Sequence, residues 1–267
     1  MILLDGKILA QNILLELKEK ISKLSQPINL DIVLVGNDPS SIKYVEIKQK
    51  KASEIGIGGQ LYHLPETTSV EEISELISAL NQNPKTSSFF IQLPVPGIVD
   101  TSPLLNQILS SKDADGLTSI NLGLLFQQNS TAIAPATAIG ILDLLDSYEI
   151  NSESKNVVVI NDSPIVGLPL LALFNARHAT VTLCHRHTQN LSMVTKEADI
   201  LISATGVKNL VTGDMVKDGV IIVDVGGGDV DFENVSNKSA FITPTFGGVG
   251  PMTVASLLKN AYLLATR

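Results

Sequence analysis

Two hydrophobic rhythms alternate along this chain of 267 residues. Apolar positions at Ile8, Leu9, Ile13, Leu14, Leu17, Ile21 and Leu24 recur at helical spacing, and they predict an amphipathic helix that starts from the turn Asp5-Gly6-Lys7 and packs on a sheet. Residues 29–36 (NLDIVLVG), 60–64 and 88–93 (SFFIQL) are short apolar runs that predict buried strands, with helices over 41–55 and 70–80 between them. Strands separated by helices build a parallel sheet. After Asp115 the pattern restarts. A helix from 137 or 138 to about Tyr148 precedes strands at 156–160, 180–184, 199–204, 220–225 and 240–243, and a last helix runs from 251 to 264. The expected fold is α/β with two domains. Residues 1–120 form the first, joined by residues 251–267 as a returning C-terminal helix, and residues 121–250 form a Rossmann-like parallel-sheet domain, with the junction near 118–137.

Composition narrows the class. Hydrophobic residues at 44% against 17% charged describe a globular chain. A net charge of −8 offers no long-range attraction for nucleic acid or an anionic membrane, so neither is an expected partner. The one cysteine, Cys184, excludes an intrachain disulfide and suits a reducing compartment. Asp5, Gly6 and Lys7 interrupt the apolar start too early for an export signal, and a cytoplasmic protein is expected.

Candidate chemistry gathers in two places. Tyr44, Lys48 and Lys51 share a helix face, which by itself more readily describes a solvated lysine with tyrosine at its edge. Gln92 closes a buried strand before Pro94-Val95-Pro96, where parallel sheets collect ligands, and Asp115 follows in Lys112-Asp113-Ala114-Asp115-Gly116. In that stretch Asp113 reads as a turn cap. Near the C-terminus Thr243-Pro244-Thr245-Phe246-Gly247-Gly248-Val249-Gly250-Pro251-Met252-Thr253 is a glycine loop running into a helix, and the three glycines permit positive φ and close backbone approach. Cys184, His185 and His187 invite a metal reading, but no second ligand pair stands at usable spacing, and no metal is expected.

These pieces, in this order and with Leu4-Asp5-Gly6-Lys7 at the start and Asn121 and Gly123 following, resemble the bifunctional methylenetetrahydrofolate dehydrogenase/methenyltetrahydrofolate cyclohydrolase family. The C-terminal motif of that family is usually Thr-Pro-Val-Pro-Gly-Gly-Val-Gly-Pro-Met-Thr, and Thr245 and Phe246 depart from it. The resemblance implies a catalytic first domain with a folate site in the cleft it forms with the second. It also implies oxidation of methylenetetrahydrofolate with NADP, NAD being possible, and hydrolysis of the methenyl product in one-carbon metabolism. Lys48 then serves as general acid/base with Gln92 as its positioning partner, Tyr44 stacks on the folate ring, and Asp115 accepts the pterin N–H donors. Lys51 meets the glutamyl tail, Gly247, Gly248 and Pro251 border the substrate, and a homodimer is expected.

Residues 157–169 resemble the family's Gly-Arg-Ser-x-x-Val-Gly-x-Pro cofactor loop, and they nominate Asn161, Asp162, Ser163, Ile165, Val166 and Gly167. Here Asn161 stands for glycine, its tolerance of left-handed φ keeping the turn, and Asp162 stands for the frequent arginine, where it repels a 2′-phosphate. Arg186 is positioned to offset that charge, while Thr205 and Gly206 lie at a strand end suited to the dinucleotide. After Gly226 the chain is shorter than the family pattern, with Gly227-Gly228-Asp229 where Ile-Asn and a longer excursion are usual. Two rival readings follow from these departures: a cyclohydrolase alone, or a folate-binding homologue without turnover.

Overall fold

The computed structural model describes residues 1–267, which divide into two compact units. The chain begins with strand β1 (Ile2–Leu3) and helix α1 (Gly6–Ile21), followed by β2 (Ile28–Val35) and α2 (Pro39–Glu54). Next come β3 (Ile57–Gly58), β4 (Leu61–Leu64), α3 (Val70–Gln82), β5 (Ser88–Ile91), α4 (Ser102–Leu105) and α5 (Ser119–Phe126). The unit holding residues 12–124, 130–136 and 257–267 is built on β2, which pairs in parallel with β5 on one side and with β3 and then β4 on the other. Asp38 and Pro39 start α2, the Asp38 carboxylate accepting the Ser41 N–H at 2.7 Å. A capping box between Ser69 and Glu72 starts α3, and its buried Ile73, Ile77 and Leu80 pack with Val33, Val35, Phe89 and Ile91 of the sheet. The strand expected to reach residue 93 stops at Ile91, just ahead of Leu93-Pro94, because proline has no N–H to continue the ladder.

The other unit holds residues 1–11, 125–129 and 137–256. It contains α6 (Ala136–Ser147), β6 (Asn156–Ile160), α7 (Gly167–Ala176), β7 (Thr180–Cys184), α8 (Leu191–Lys196) and β8 (Ile200–Ser203). It continues through β9 (Val220–Asp224), α9 (Phe232–Ser236), β10 (Ser239–Ile242) and the start of α10 (Val249–Ala265). Its six strands are all parallel in the order β1-β10-β9-β8-β6-β7. The chain steps from β6 to β7 on one flank and then crosses back from β7 to β8 on the other flank of β6, so the order reverses there and leaves a crevice at the carboxyl ends.

Two expectations about organisation change. Residues 1–11 do not go with the first domain: Ile2 and Leu3 pair with Phe241 and Ile242, and the Leu4 N–H reaches the Ile242 carbonyl at 2.9 Å. A two-residue strand carries no pattern that says which sheet it joins, and its partner lies far along the chain. The junction is not one linker either, since α5 and the segments after it alternate between the units. No helix is long and apolar enough to cross a membrane.

Candidate active site

Helix α2 turns Lys48 inward. Its side chain is buried at 6% exposure, whereas Tyr44, one turn earlier, is 49% exposed. The Lys48 Nζ donates to Gln92 Oε1 at 3.0 Å, and Gln92 Nε2 donates to the Leu93 carbonyl at 2.8 Å, which fixes the way the amide faces. Beneath the ammonium lies the Phe90 ring, 4.3 Å from Nζ to the ring centroid. Phe90 escaped the sequence reading although strand alternation puts it on the same face as Gln92. Lys51 does not join this group. It pairs with Glu54 at 2.7 Å on the exposed side of α2, a solvated contact that contributes little and exchanges readily.

Asp115 completes the electrostatics. Burial pushes the Lys48 amine below the usual lysine range, and the Asp115 charge partly opposes this. Burial likewise raises Asp115, with Lys48 pulling it back and Asp113 adding to the rise. Each group is therefore moved toward its neutral form and stabilised as an ion by the other. Asp113 is the turn cap expected of it: its carboxylate accepts from Gly116 N at 2.9 Å, Thr118 N at 2.8 Å and Asn121 Nδ2 at 2.9 Å. Gly116 sits at φ +72°, and a Cβ there would stand 2.6 Å from the Ile133 carbonyl oxygen. Asn260 ties the same place from α10, donating to the carbonyls of Ala114 and Ala134 at 3.0 Å each.

In the second unit a cavity of about 630 Å³ opens at the carboxyl ends of β6, β7 and β8. Ile160, Cys184, Leu191 and Leu210 supply apolar lining, and Asp162 and Arg186 supply opposite charges. The loop from β6 to α7 is organised by Asn161, although not as expected, because Asn161 has no positive φ. Its side chain does the organising. Oδ1 accepts from Ser163 N at 2.9 Å, Ser163 Oγ at 2.6 Å and Gly167 N at 3.0 Å, while Nδ2 donates across the switch point to the Ala204 carbonyl at 2.7 Å. Ser163 Oγ also accepts the Val166 N–H at 3.2 Å. Gly167 permits the tight approach, since a Cβ there would meet the Asn161 carbonyl oxygen at 2.0 Å. Ile165 lies on the exposed side of this loop.

The rim holds the remaining nominees. Arg186 is exposed, and its Nε hydrogen-bonds His187 Nε2 at 3.2 Å; the His187 N–H in turn meets His185 Nδ1 at 3.1 Å. No group of three or more His, Cys, Asp or Glu gathers in a metal-ligating arrangement. Thr205 lines the cavity and precedes Gly206 at φ +70°. Among the C-terminal glycines only Gly247 takes a positive φ, at +92°. Gly248 is needed for closeness, a Cβ there standing 2.9 Å from the Thr243 Cβ, and Gly250 has open space and ordinary helical backbone. Pro251 falls in the first turn of α10, which begins two residues earlier than predicted.

The cavity is of a size that takes small molecules and lies where open parallel sheets bind them. Its apolar lining, the start of α7 and the Arg186 guanidinium suit a dinucleotide with an extra phosphate, and only Asp162 opposes that phosphate.

Comparison with known proteins covers both halves. A family model described as the catalytic domain of tetrahydrofolate dehydrogenase/cyclohydrolase matches residues 4–115, and one for the NAD(P)-binding domain of the same family matches residues 135–267. The Bifunctional protein FolD of Lactobacillus helveticus is 45% identical over 275 aligned positions, 99% of this chain and 97% of its own. The crystal structure of the bifunctional FolD enzyme from Campylobacter jejuni superposes with a TM-score of 0.97 at 44% identity, covering 100% of this chain and 99% of that one. The enzyme of Trypanosoma brucei, solved with NADP cofactor and an inhibitor, gives 0.96 at 31% identity, with 100% and 98% covered. Matches that run in order through both units, at this identity and over nearly the full length, establish that the chain belongs to the tetrahydrofolate dehydrogenase/cyclohydrolase family.

Proposed function

We propose that the chain oxidises 5,10-methylenetetrahydrofolate to 5,10-methenyltetrahydrofolate with NADP, and then hydrolyses the methenyl cation to 10-formyltetrahydrofolate. The observation that carries this reading is the buried Lys48 amine, held by Gln92 over the Phe90 ring with Asp115 as its counter-charge. Burial lowers this amine below the ordinary lysine range, which makes it a better proton acceptor for the water that attacks the cation.

In the hydrolysis, water adds to the amidinium carbon while its proton passes to Lys48 Nζ. The resulting ammonium protonates the ring nitrogen as its bond to carbon breaks, the carbinol O–H becomes the formyl C=O, and one proton per turnover leaves to solvent. Gln92 keeps Nζ aimed through both steps, and a bound cation lowers the amine further by like-charge repulsion. Tyr44 offers an exposed ring to the pterin, and Asp115 accepts its N–H donors. Lys51, on the exposed side of α2 and apart from Lys48, is left for the anionic glutamyl tail, its contact with Glu54 being readily exchanged.

NADP, when bound, accepts the hydride released by the methylene carbon, whose adjacent nitrogens stabilise the cation left behind. Residues Asn161, Asp162, Ser163, Ile165, Val166 and Gly167, together with Arg186, Thr205 and Gly206, would hold it. Arg186 reads the 2′-phosphate. A guanidinium–phosphate pair is charge-assisted, whereas repulsion from the solvated Asp162 carboxylate is screened, so NADP is preferred over NAD.

The deciding assay supplies methylenetetrahydrofolate with NADP or NAD, and methenyltetrahydrofolate with neither. Oxidation favouring NADP and cofactor-free hydrolysis are expected, with Arg186→Ala raising the NADP KM about tenfold and sparing NAD. Hydrolysis without oxidation would leave a cyclohydrolase alone, and loss of both would leave a folate-binding protein. Equal weakening of both cofactors would remove Arg186 as the phosphate reader.

The protein acts in the cytoplasm as a homodimer formed through the cofactor unit, a reading supported by family resemblance and by the frequency of symmetric pairs. Sedimentation at micromolar concentration should show twice the 28.5 kDa chain mass, and a monomer alone would refute it.

A further inference from the structure

Asp229 is 1% exposed, lies in the shortened segment after β9, and has no cation beside it. Its carboxylate is answered by one group of donors. Oδ2 accepts from Ser203 Oγ at 2.8 Å, Thr205 N at 2.6 Å and Thr205 Oγ1 at 2.9 Å, and Thr205 Oγ1 in turn accepts the Val207 N–H at 3.1 Å. The main chain runs the same way. Asn209 N donates to the Gly228 carbonyl at 2.8 Å and Val211 N to the Asp229 carbonyl at 3.0 Å. Thr205, Val207 and Leu210 are cavity wall. All of these bonds but the one from Val207 to Thr205 join the end of β8 and the wall after it to residues 228–229.

The location of this carboxylate is costly for folding. Asp224 lies close by, its own carboxylate ringed by the N–H groups of Gly227, Gly228, Asp229 and Val230. Burial raises Asp224, and the Asp229 charge raises it further. Two buried carboxylates without a cation repel each other, so an amide at 229 relieves the fold of a charge. An amide at 229 presents a neutral oxygen to the same three donors, so each of those bonds loses its charge assistance.

We infer that Asp229 is a positioning residue for the cofactor site: it sets the 203–207 wall through Thr205, opposite the Asn161 amide that holds Ala204 from the β6 side. This rests on the reading that the cavity takes NADP. In place of the longer family excursion, the short Gly227-Gly228-Asp229 turn delivers a carboxylate against that wall, with Gly226 leaving it room.

The test is fluorescence titration of NADPH against wild type, Asp229→Asn, Thr205→Val and the double variant, with methenyltetrahydrofolate hydrolysis and thermal unfolding measured on each. Asp229→Asn should weaken NADPH binding about tenfold while hydrolysis without cofactor stays within about twofold and the unfolding temperature does not fall. Because the effect passes through Thr205, the double variant should lose less than the product of the single losses. NADPH affinity unchanged in Asp229→Asn, or hydrolysis and binding falling together, overturns the inference. Multiplicative losses in the double variant overturn the route through Thr205. A wild type that hydrolyses but does not bind NADPH overturns the cofactor reading itself.

Discussion

Lys48→Met should abolish hydrolysis of methenyltetrahydrofolate, lowering the rate by about 10²–10⁴-fold, the range supplied by a positioned proton-transfer group. Methionine nearly matches the lysine stem in volume and rests on Phe90 without burying a charge, so the fold and substrate binding survive. The wild-type rate should rise with pH as the Lys48 ammonium loses its proton, at a pH below that of an ordinary lysine because burial disfavours the charged form. In Lys48→Met the same limb should be absent. Near-normal hydrolysis by that variant, or an unchanged pH limb, would remove Lys48 from the proton-transfer role.

Gly116→Ala should damage both stability and chemistry. The backbone there is left-handed at φ +72°, which costs a β-carbon about 1–2 kcal/mol. The added atom would also stand 2.6–2.8 Å from backbone atoms of Ile133 and Ala134. Relieving that overlap costs about 1–3 kcal/mol more. The turn must move to do so, and it carries Asp115 one residue away and the three donors on Asp113. The variant should therefore unfold several degrees lower, and its surviving folded fraction should hydrolyse methenyltetrahydrofolate more slowly than wild type. A variant with wild-type unfolding temperature and rate would show that this turn is not rigidly fixed.

The β/α alternation was legible because each buried strand is an apolar run with helical spacing on either side, and the strands and the two-sheet division follow from it. Helices α4 and α5 were not predicted, being short and flanked by turn residues. Lys48, Gln92 and Asp115 could be chosen from their motifs, and the structure brings those three together. Tyr44 and Lys51, read onto the same face, part company with Lys48 because 100° per residue spreads three positions across a helix edge, and only one of them reaches the sheet. Asn161 was nominated for its backbone tolerance and acts through its side chain. Asp229 gave no signal: its partners are 24 and 26 residues earlier in the chain, and nothing local marks a lone aspartate after two glycines as a latch.

The three donors gathered on Asn161 Oδ1 bear on how tightly a phosphate can be held at the start of α7. A glycine at this position would carry no side chain to engage these amides, and an arriving anion would take them from water. Here Ser163 N and Gly167 N are already satisfied by a neutral amide oxygen that the β8 end holds in place. A phosphate oxygen contributes at these two amides only the difference between a charged and a neutral acceptor. The loop needs no ordering on arrival, so the entropic cost of association is small, but the enthalpy gained is small as well. On the proposed cofactor reading, affinity should then rest on the Arg186 guanidinium and the apolar lining, and NADPH binding should weaken as ionic strength rises.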